Sequence, residues 1–217
     1  VFCGFMVENY REHQIEKNRE SIYIEKLVED LKTDTVIYSK YFANCADYFG
    51  KMDSAITLMS GPDRAANAHL IYFFFRTSTL MPATVFPNER TFDEMKSSGT
   101  LRLISKREVA DSLSNYYNLL KGLYTQNDII QARLGDYMMA VGKVLDAKAL
   151  YTILKTRKVP EPGSVKFLTD DVSAVNELLT RAQYFYGSRM LQKIWVEEKN
   201  DKAVRLLELI KKNYHSE

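Results

Sequence analysis

The chain has 217 residues, of which 46% are hydrophobic and 27% are charged, as is typical of a folded soluble domain and not of a disordered chain. Its 30 basic residues are balanced by 28 acidic residues, so the sequence lacks the positive excess of a nucleic-acid-binding surface, and we expect no nucleic-acid partner. Only 9 glycines and 5 prolines are present. Such scarcity of turn residues favours long helices over a sheet of many strands.

The first seven residues carry no charge, and the sequence becomes polar abruptly at Glu8. Seven residues cannot cross a bilayer, which takes about twenty. They are either a hydrophobic helix start that docks on the bundle, or the trailing end of a membrane-spanning helix whose earlier part is not in this chain. The abrupt change favours the second interpretation, and Tyr10 and Arg11 suit the lipid headgroup level. We therefore interpret residues 1–20 as the end of a membrane anchor followed by a polar stalk.

Apolar residues recur between Ile24 and Met59 at alternating steps of four and three, the spacing of a helix with one packed seam. The seam positions are Ile24, Val28, Leu31, Thr35, Tyr38, Phe42, Cys45, Phe49, Met52, Ile56 and Met59. This pattern predicts one uninterrupted helix that ends at Ser60-Gly61-Pro62. The charged residues between the seam positions, Asp30 and Asp34 among them, are predicted to form its solvated back.

A second helix is predicted over about 63–76, with Asp63 as its cap. The longest non-helical connection follows at 77–90, because Pro82 and Pro87 both disfavour helix around them. This loop is unusually apolar. It is either a lid over one end of the bundle or a loop that binds a ligand or partner.

Two capping boxes come next, Thr91–Glu94 and Ser105–Glu108. The first predicts a short helix that ends at Gly99 in a left-handed conformation, followed by an extended stretch at 100–104. The second predicts a long helix to about Leu154. Its helically spaced positions are Val109, Leu113, Tyr116, Leu120, Leu123, Asn127, Ile130, Leu134, Tyr137, Val141 and Val144.

The segment 155–163 is a clear break, and Ser164–Leu168 is a candidate short strand that pairs with Leu101–Ile104. A helix is predicted over about 169–198, with an interruption at Asn200-Asp201 and a tail helix over 202–214. The fold class is therefore all-α: an elongated helical bundle with long antiparallel helices and a small loop-rich cap. We assign residues 21–217 to this bundle domain.

The sequence lacks the usual motifs of catalysis. None of the three histidines lies in Glu-x-x-His, and there is no Cys-x-x-Cys, His-x-x-x-His or Gly-x-Ser-x-Gly. Cys45 falls on the predicted seam, where a small buried residue is expected, and Cys3 is interpreted as apolar filler and not as a lipidation site. We accordingly expect no catalytic residues, no metal, no cofactor and no enzymatic activity.

Two stretches, Gly4–Glu12 followed by Tyr23–Asp34, and Thr91–Ile104 followed by Tyr116-Tyr117, resemble a family of uncharacterised bacterial single-span membrane proteins. That family typically shows Phe/Tyr-x-Glu-Leu-x-Ser-x-Gly-x-Leu in the second stretch, and Met95 stands here where leucine is usual. The resemblance implies an N-terminal membrane anchor, a location at the bacterial inner membrane, and a helical domain on its periplasmic side. It implies no activity and no functional residues.

The leading hypothesis is a membrane-tethered, non-catalytic interaction or sensor-like module. The first alternative is a bundle that binds a small ligand in a pocket under the 77–90 loop, with Arg90, Arg102 and Tyr116 as polar contacts. The second alternative is a homo-oligomeric scaffold in which the stalk pairs with its copy, a possibility that a size measurement in solution tests. A protein partner is compatible with the interaction module and with the homo-oligomeric scaffold.

Overall fold

The structure, a computed structural model, describes the backbone of residues 2–214 and the side chains of residues 6–214. The predictions on Val1, His215 and the side chain of Cys3 lie outside the described residues. The described helices are α1 (Phe2–Ser60), α2 (Ala68–Ser78), α3 (Arg90–Ser97), α4 (Arg107–Val144), α5 (Ala147–Thr156) and α6 (Val172–Tyr214), with a 3₁₀ turn at Thr100–Leu103. The predicted all-α fold class is confirmed.

The described chain divides into two compact units. Unit 1 is built from three separate segments of the chain and unit 2 from two. Unit 1 comprises residues up to Ser39, residues 86–122 and residues from Val196 onward. Unit 2 comprises residues 40–85 and 123–195. The three long helices α1, α4 and α6 each contribute residues to both units.

The predicted uninterrupted first helix is confirmed, but its buried seam lies in a different register. The buried positions of α1 are Glu20, Ile24, Leu27, Asp30, Leu31, Asp34, Tyr38, Tyr41, Cys45, Tyr48, Met52, Ala55 and Met59. Apart from Asp30, they follow one 4-3 repeat. Predicted seam residues such as Val28 and Phe42 are only half-buried. The prediction of a solvated Asp30 and Asp34 is wrong, since their exposures are 1% and 0%.

The predicted seam of α4 is confirmed, since its positions are buried from Val109 to Val144 with only Leu134 half-buried. The helix does not continue to Leu154 as predicted. The Asp146 carboxylate accepts the Ala149 backbone N–H at 2.9 Å and so caps a separate helix, α5. A favourable cap within an otherwise helical sequence therefore marks the break.

The predicted interruption of α6 at Asn200-Asp201 is wrong, because one helix runs from Val172 to Tyr214. Its buried seam continues through that dipeptide in regular steps of three and four. The seam positions are Val175, Leu178, Ala182, Phe185, Arg189, Gln192, Val196, Lys199, Ala203, Leu206 and Ile210. Packing along the seam thus outweighs the weak helix propensity of Asn200, which is half-buried, and Asp201, which is exposed.

Several local predictions are corrected. Glu89, not Thr91, precedes the first turn of α3, so the first capping box is not formed. The Ser105 box fails similarly, because α4 begins only at Arg107. The second helix begins at Ala68, five residues after the predicted Asp63 cap.

The predicted extended segments also differ from the structure. Residues 100–103 form a 3₁₀ turn and no strand, although Gly99 before them has the predicted left-handed conformation, with φ 70°. Phe167 forms a single antiparallel bridge, and its partner is Leu145 rather than the predicted 101–104 segment. This bridge belongs to unit 2.

The core of unit 2 explains why this bridge is well placed. The buried Tyr72 hydroxyl donates to the Lys166 carbonyl at 2.6 Å and accepts the Asp146 N–H at 2.7 Å. The Tyr72 ring stacks on Phe167 at 5.9 Å. A single side chain of α2 thereby fixes both the end of α4 and the returning 166–167 segment.

Candidate functional site

Two buried carboxylates on successive turns of α1, Asp30 and Asp34, form the most unusual polar feature of unit 1, and we call them the acidic pair. A carboxylate is rarely fully buried unless each of its oxygens is bound. Both side chains are buried: Asp34 occupies a position of the 4-3 repeat that would ordinarily be apolar, and Asp30 lies beside that seam, next to Leu31. The acidic pair is therefore a departure from the helix pattern that requires a physical cause.

The chain between α2 and α3 supplies donors to the acidic pair. The Asn88 backbone N–H donates to Asp34 Oδ1 and the Asn88 side-chain amide donates to Asp30 Oδ1, both at 2.6 Å. The Thr91 backbone N–H donates to Asp30 Oδ2 at 3.0 Å. Because Thr91 lies in the first turn of α3, Asp30 satisfies an otherwise unbonded helix N–H and interacts favourably with the helix dipole.

The fourth carboxylate oxygen is bound by α4. The Tyr116 hydroxyl donates to Asp34 Oδ2 at 2.6 Å, and the Tyr38 hydroxyl lies 2.9 Å from that of Tyr116. An ionised carboxylate only accepts hydrogen bonds, so the Tyr116 hydroxyl donates its single hydrogen to Asp34. Tyr38 must then donate to Tyr116. The result is a buried chain of donors that runs from Tyr38 through Tyr116 to Asp34.

Burial raises the pKa of Asp34 to about 6, even though the hydrogen bonds from Tyr116 and Asn88 oppose the shift. The negative charges of Asp30 and Glu89 raise it further. Burial likewise raises the pKa of Tyr116, to which the neighbouring Tyr38 and Asp34 add. With a pKa of about 6, Asp34 changes charge in a mildly acidic range.

Two of the three predicted site residues meet at the acidic pair. Tyr116 is buried and bound to Asp34, whereas the Arg90 side chain is 76% exposed, with its Nη2 3.9 Å from Asp30 Oδ1. Such a long, solvated ion pair contributes little stability. Arg102 lies elsewhere in unit 1: its Nη1 is 3.4 Å from Glu16 Oε1, and its side chain is also 76% exposed.

Unit 1 also contains an open cavity of about 520 Å³ between α4 and α6. Tyr116 contributes to its wall, but the Tyr116 hydroxyl is already committed to the acidic pair. The other lining residues are Glu108, Ser112, Asn115, Leu119, Lys202, Arg205, Leu206 and Leu209. A smaller pocket of about 200 Å³ has Arg102 in its wall together with His13, Glu16 and Glu20.

Asp30, Asp34 and Asn88 were missed by sequence reasoning. The two aspartates were assigned to the solvated side of α1 because they are charged. The signal that could have identified Asp34 is a second 4-3 repeat along α1, which contains Leu27, Asp34 and Tyr41. At alternate positions this repeat lies one residue before the predicted seam. Nothing in the local sequence identifies Asn88 as their shared donor.

No family model matches this chain, and no curated protein or solved structure shows significant similarity to it. Along the described residues, no helix is both long enough and apolar enough to cross a membrane. Within the same part of the chain, no group of three or more histidine, cysteine or acidic side chains is arranged to hold a metal ion.

Proposed function

We propose that this chain is a non-catalytic, membrane-tethered interaction or sensor-like helical module. The observation that carries this proposal is the amino-terminal part of α1. Met6, Val7 and Tyr10 are helical and 59%, 67% and 67% exposed, and the charged residues beside them, Arg11 and Glu12, are exposed as well. Exposed apolar side chains next to a charged turn are what a helix presents where it leaves a bilayer.

An exposed apolar face of α6 supports the interaction role. Tyr184, Leu191 and Ile194 are spaced by seven and three residues, so they lie on one side of the helix. Their exposures are 53%, 42% and 55%. A row of large apolar side chains in water favours a contact with another protein surface. This face belongs to unit 2.

The acidic pair supports the sensor-like role. Asp34 joins α1 to the segment before α3, and with a pKa of about 6 its charge changes on modest acidification. A charge change inside a buried hydrogen-bond network alters the stability of the elements that it joins. The proposal therefore gives unit 1 a response to proton concentration that needs no catalytic group.

Fractionation of the full-length protein from its bacterial host tests the tether. We expect the protein in the membrane pellet after high-salt and alkaline washes and in solution only after detergent is added. Recovery in the soluble fraction before any wash would contradict the tether. Protease added outside spheroplasts should digest a periplasmic domain, and its protection until the cells are lysed would contradict that location.

A further inference from the structure

Arg189 is the largest fully buried side chain of the described chain, with 1% exposure. It occupies a seam position of α6 within unit 2, and its guanidinium carbon lies 4.6 Å from the ring centroid of Tyr48 and 5.8 Å from that of Tyr41. Two aromatic faces stabilise a cation. That gain is smaller than the cost of a buried charge without an anionic partner.

The hydrogen bonds of Arg189 leave one edge of the guanidinium unused. Its Nη1 donates to the Pro82 carbonyl at 2.8 Å, which fixes the plane of the group. Within the described chain, Nε and Nη2 have no hydrogen-bond partner, and neither has the buried hydroxyl of Tyr48. The Nε and Nη2 hydrogens point in parallel, which is the geometry that binds the two oxygens of a carboxylate or similar oxyanion.

The Tyr48 hydroxyl lies within electrostatic reach of this edge. Burial raises the pKa of the Tyr48 phenol, and the positive charge of Arg189 is the main opposing influence. The guanidinium carbon lies 4.6 Å from the centroid of the Tyr48 ring, so the buried, unpartnered hydroxyl of that ring is close to the charge. A neutral phenol next to a guanidinium can donate to an anion bound there.

Polar side chains of the helices beneath it hold the segment that covers Arg189, together with the burial of Ala83 and Val85 in the core. Besides Arg189, the Gln192 amide donates to the Ala83 carbonyl at 3.1 Å. The Asn127 side chain binds both backbone groups of Val85, donating to its carbonyl at 2.7 Å and accepting its N–H at 3.3 Å. Residues 79–85 contain no helix or strand, so this cover can open without breaking a helix.

We propose that the Nε–Nη2 edge of Arg189, together with the Tyr48 hydroxyl, binds a small oxyanion of the carboxylate class beneath residues 79–85. The site goes beyond the tethered module proposed above and does not depend on the tether. It also places the ligand site of a ligand-binding bundle at Arg189, and not at Arg90, Arg102 and Tyr116. The side chains Tyr41, Tyr48 and Gln192 are buried, so the site excludes bulk solvent, and we expect a ligand of formate or acetate size.

Anion titrations of the full chain test the proposal. Formate, acetate, nitrate and phosphate are added at constant ionic strength, and the thermal midpoint and the ¹H–¹⁵N resonances of the arginine Nε groups are followed. We expect formate or acetate to raise the midpoint in a saturable manner and to shift the Arg189 Nε resonance. A saturable response to phosphate alone would contradict the carboxylate class.

Three variants sharpen this test. Tyr48→Phe removes a hydroxyl that has no partner among the described residues, so the protein should fold normally and bind the anion about tenfold more weakly. Arg189→Lys keeps the charge but loses the paired donors, and saturable binding should disappear. The control is Arg181→Lys on the same helix, where the arginine pairs with Asp136 at 3.2 Å near the surface. It should bind as the parent protein does.

Three outcomes would overturn the proposal. The first is the absence of a saturable response to any of the four anions, with an unchanged Arg189 resonance, which would mean that water alone occupies the edge. The second is equal anion affinity of Arg189→Lys and Arg181→Lys. The third is an unchanged affinity of Tyr48→Phe. None of these results bears on the proposed membrane tether, because fractionation tests the tether separately.

Discussion

Replacement of Asp34 by asparagine should stabilise the protein at neutral pH. Asparagine has the same shape, its Oδ1 can accept the Asn88 N–H, and its amide can donate to Tyr116, which then donates to Tyr38 instead of accepting from it. What is lost is a buried negative charge. The pKa of Asp34 rises from 3.8 to about 6 on folding, and this shift corresponds to about 3 kcal/mol.

The pH dependence of this effect has a defined sign. The folded protein binds the Asp34 proton more tightly than the unfolded chain does, so Asp34 favours folding at low pH. Its contribution is lost as the pH rises from about 4 to about 6, and above that range it is constant. The stability difference between Asp34→Asn and the parent protein should therefore grow from near zero at about pH 4 to about 3 kcal/mol at pH 7.

Urea unfolding followed by circular dichroism at a series of pH values measures this difference. The control is Asp111→Asn, because Asp111 is 71% exposed and 3.7 Å from Arg107, so its removal should change stability by no more than about 0.5 kcal/mol. A lower stability of Asp34→Asn than of the parent protein at pH 7 would show that the buried charge favours folding, contrary to this prediction. A stability difference that does not change between pH 4 and pH 7 would contradict it equally.

The corrected register of α1 and the core of unit 2 give two further predictions. Leu27→Ala removes a fully buried side chain and should cost about 2–5 kcal/mol of unfolding free energy. Val28→Ala, at a half-buried position, should cost about 1 kcal/mol. Equal losses of the two variants in urea unfolding would favour the seam predicted from the sequence. Tyr72→Phe leaves the Asp146 N–H and the Lys166 carbonyl without their shared partner and should cost about 1–3 kcal/mol of unfolding free energy. Hydrogen exchange at the Asp146 amide should become faster. Unchanged stability and exchange would contradict these hydrogen bonds.

The helix content and most helix positions could be predicted because the 4-3 repeat is a property of the sequence itself. On α4 the predicted positions coincide with the buried seam up to Val144, except that Leu134 is only half-buried. On α1 the same reasoning selected Phe42 and Phe49 because they are large and apolar. Their neighbours Tyr41 and Tyr48 are the buried residues instead. Which of two adjacent aromatic residues faces the core depends on contacts with other segments, and the sequence of one helix does not show those contacts.

The polar members of the seams could not be predicted from residue type. Asp34, Arg189 and Gln192 occupy positions that a hydrophobic pattern assigns to apolar residues, while Leu191 and Ile194 are exposed beside them. Buried polar side chains are stable only when distant segments supply partners, such as Asn88 for Asp34 and Pro82 for Arg189. Those partners are far away in the sequence, so the sites they form are visible only in the folded chain.

We propose that charged side chains on the inner faces of long helices, and not the surface residues Arg90 and Arg102, form the functional features of this chain. The most direct test is the carboxyl ¹³C titration of Asp34 by NMR in the full chain. A midpoint of about 6 that is absent from Asp34→Asn would agree with the buried network bound by Asn88 and Tyr116. A midpoint at or below that of an ordinary exposed aspartate, about 4, would contradict it.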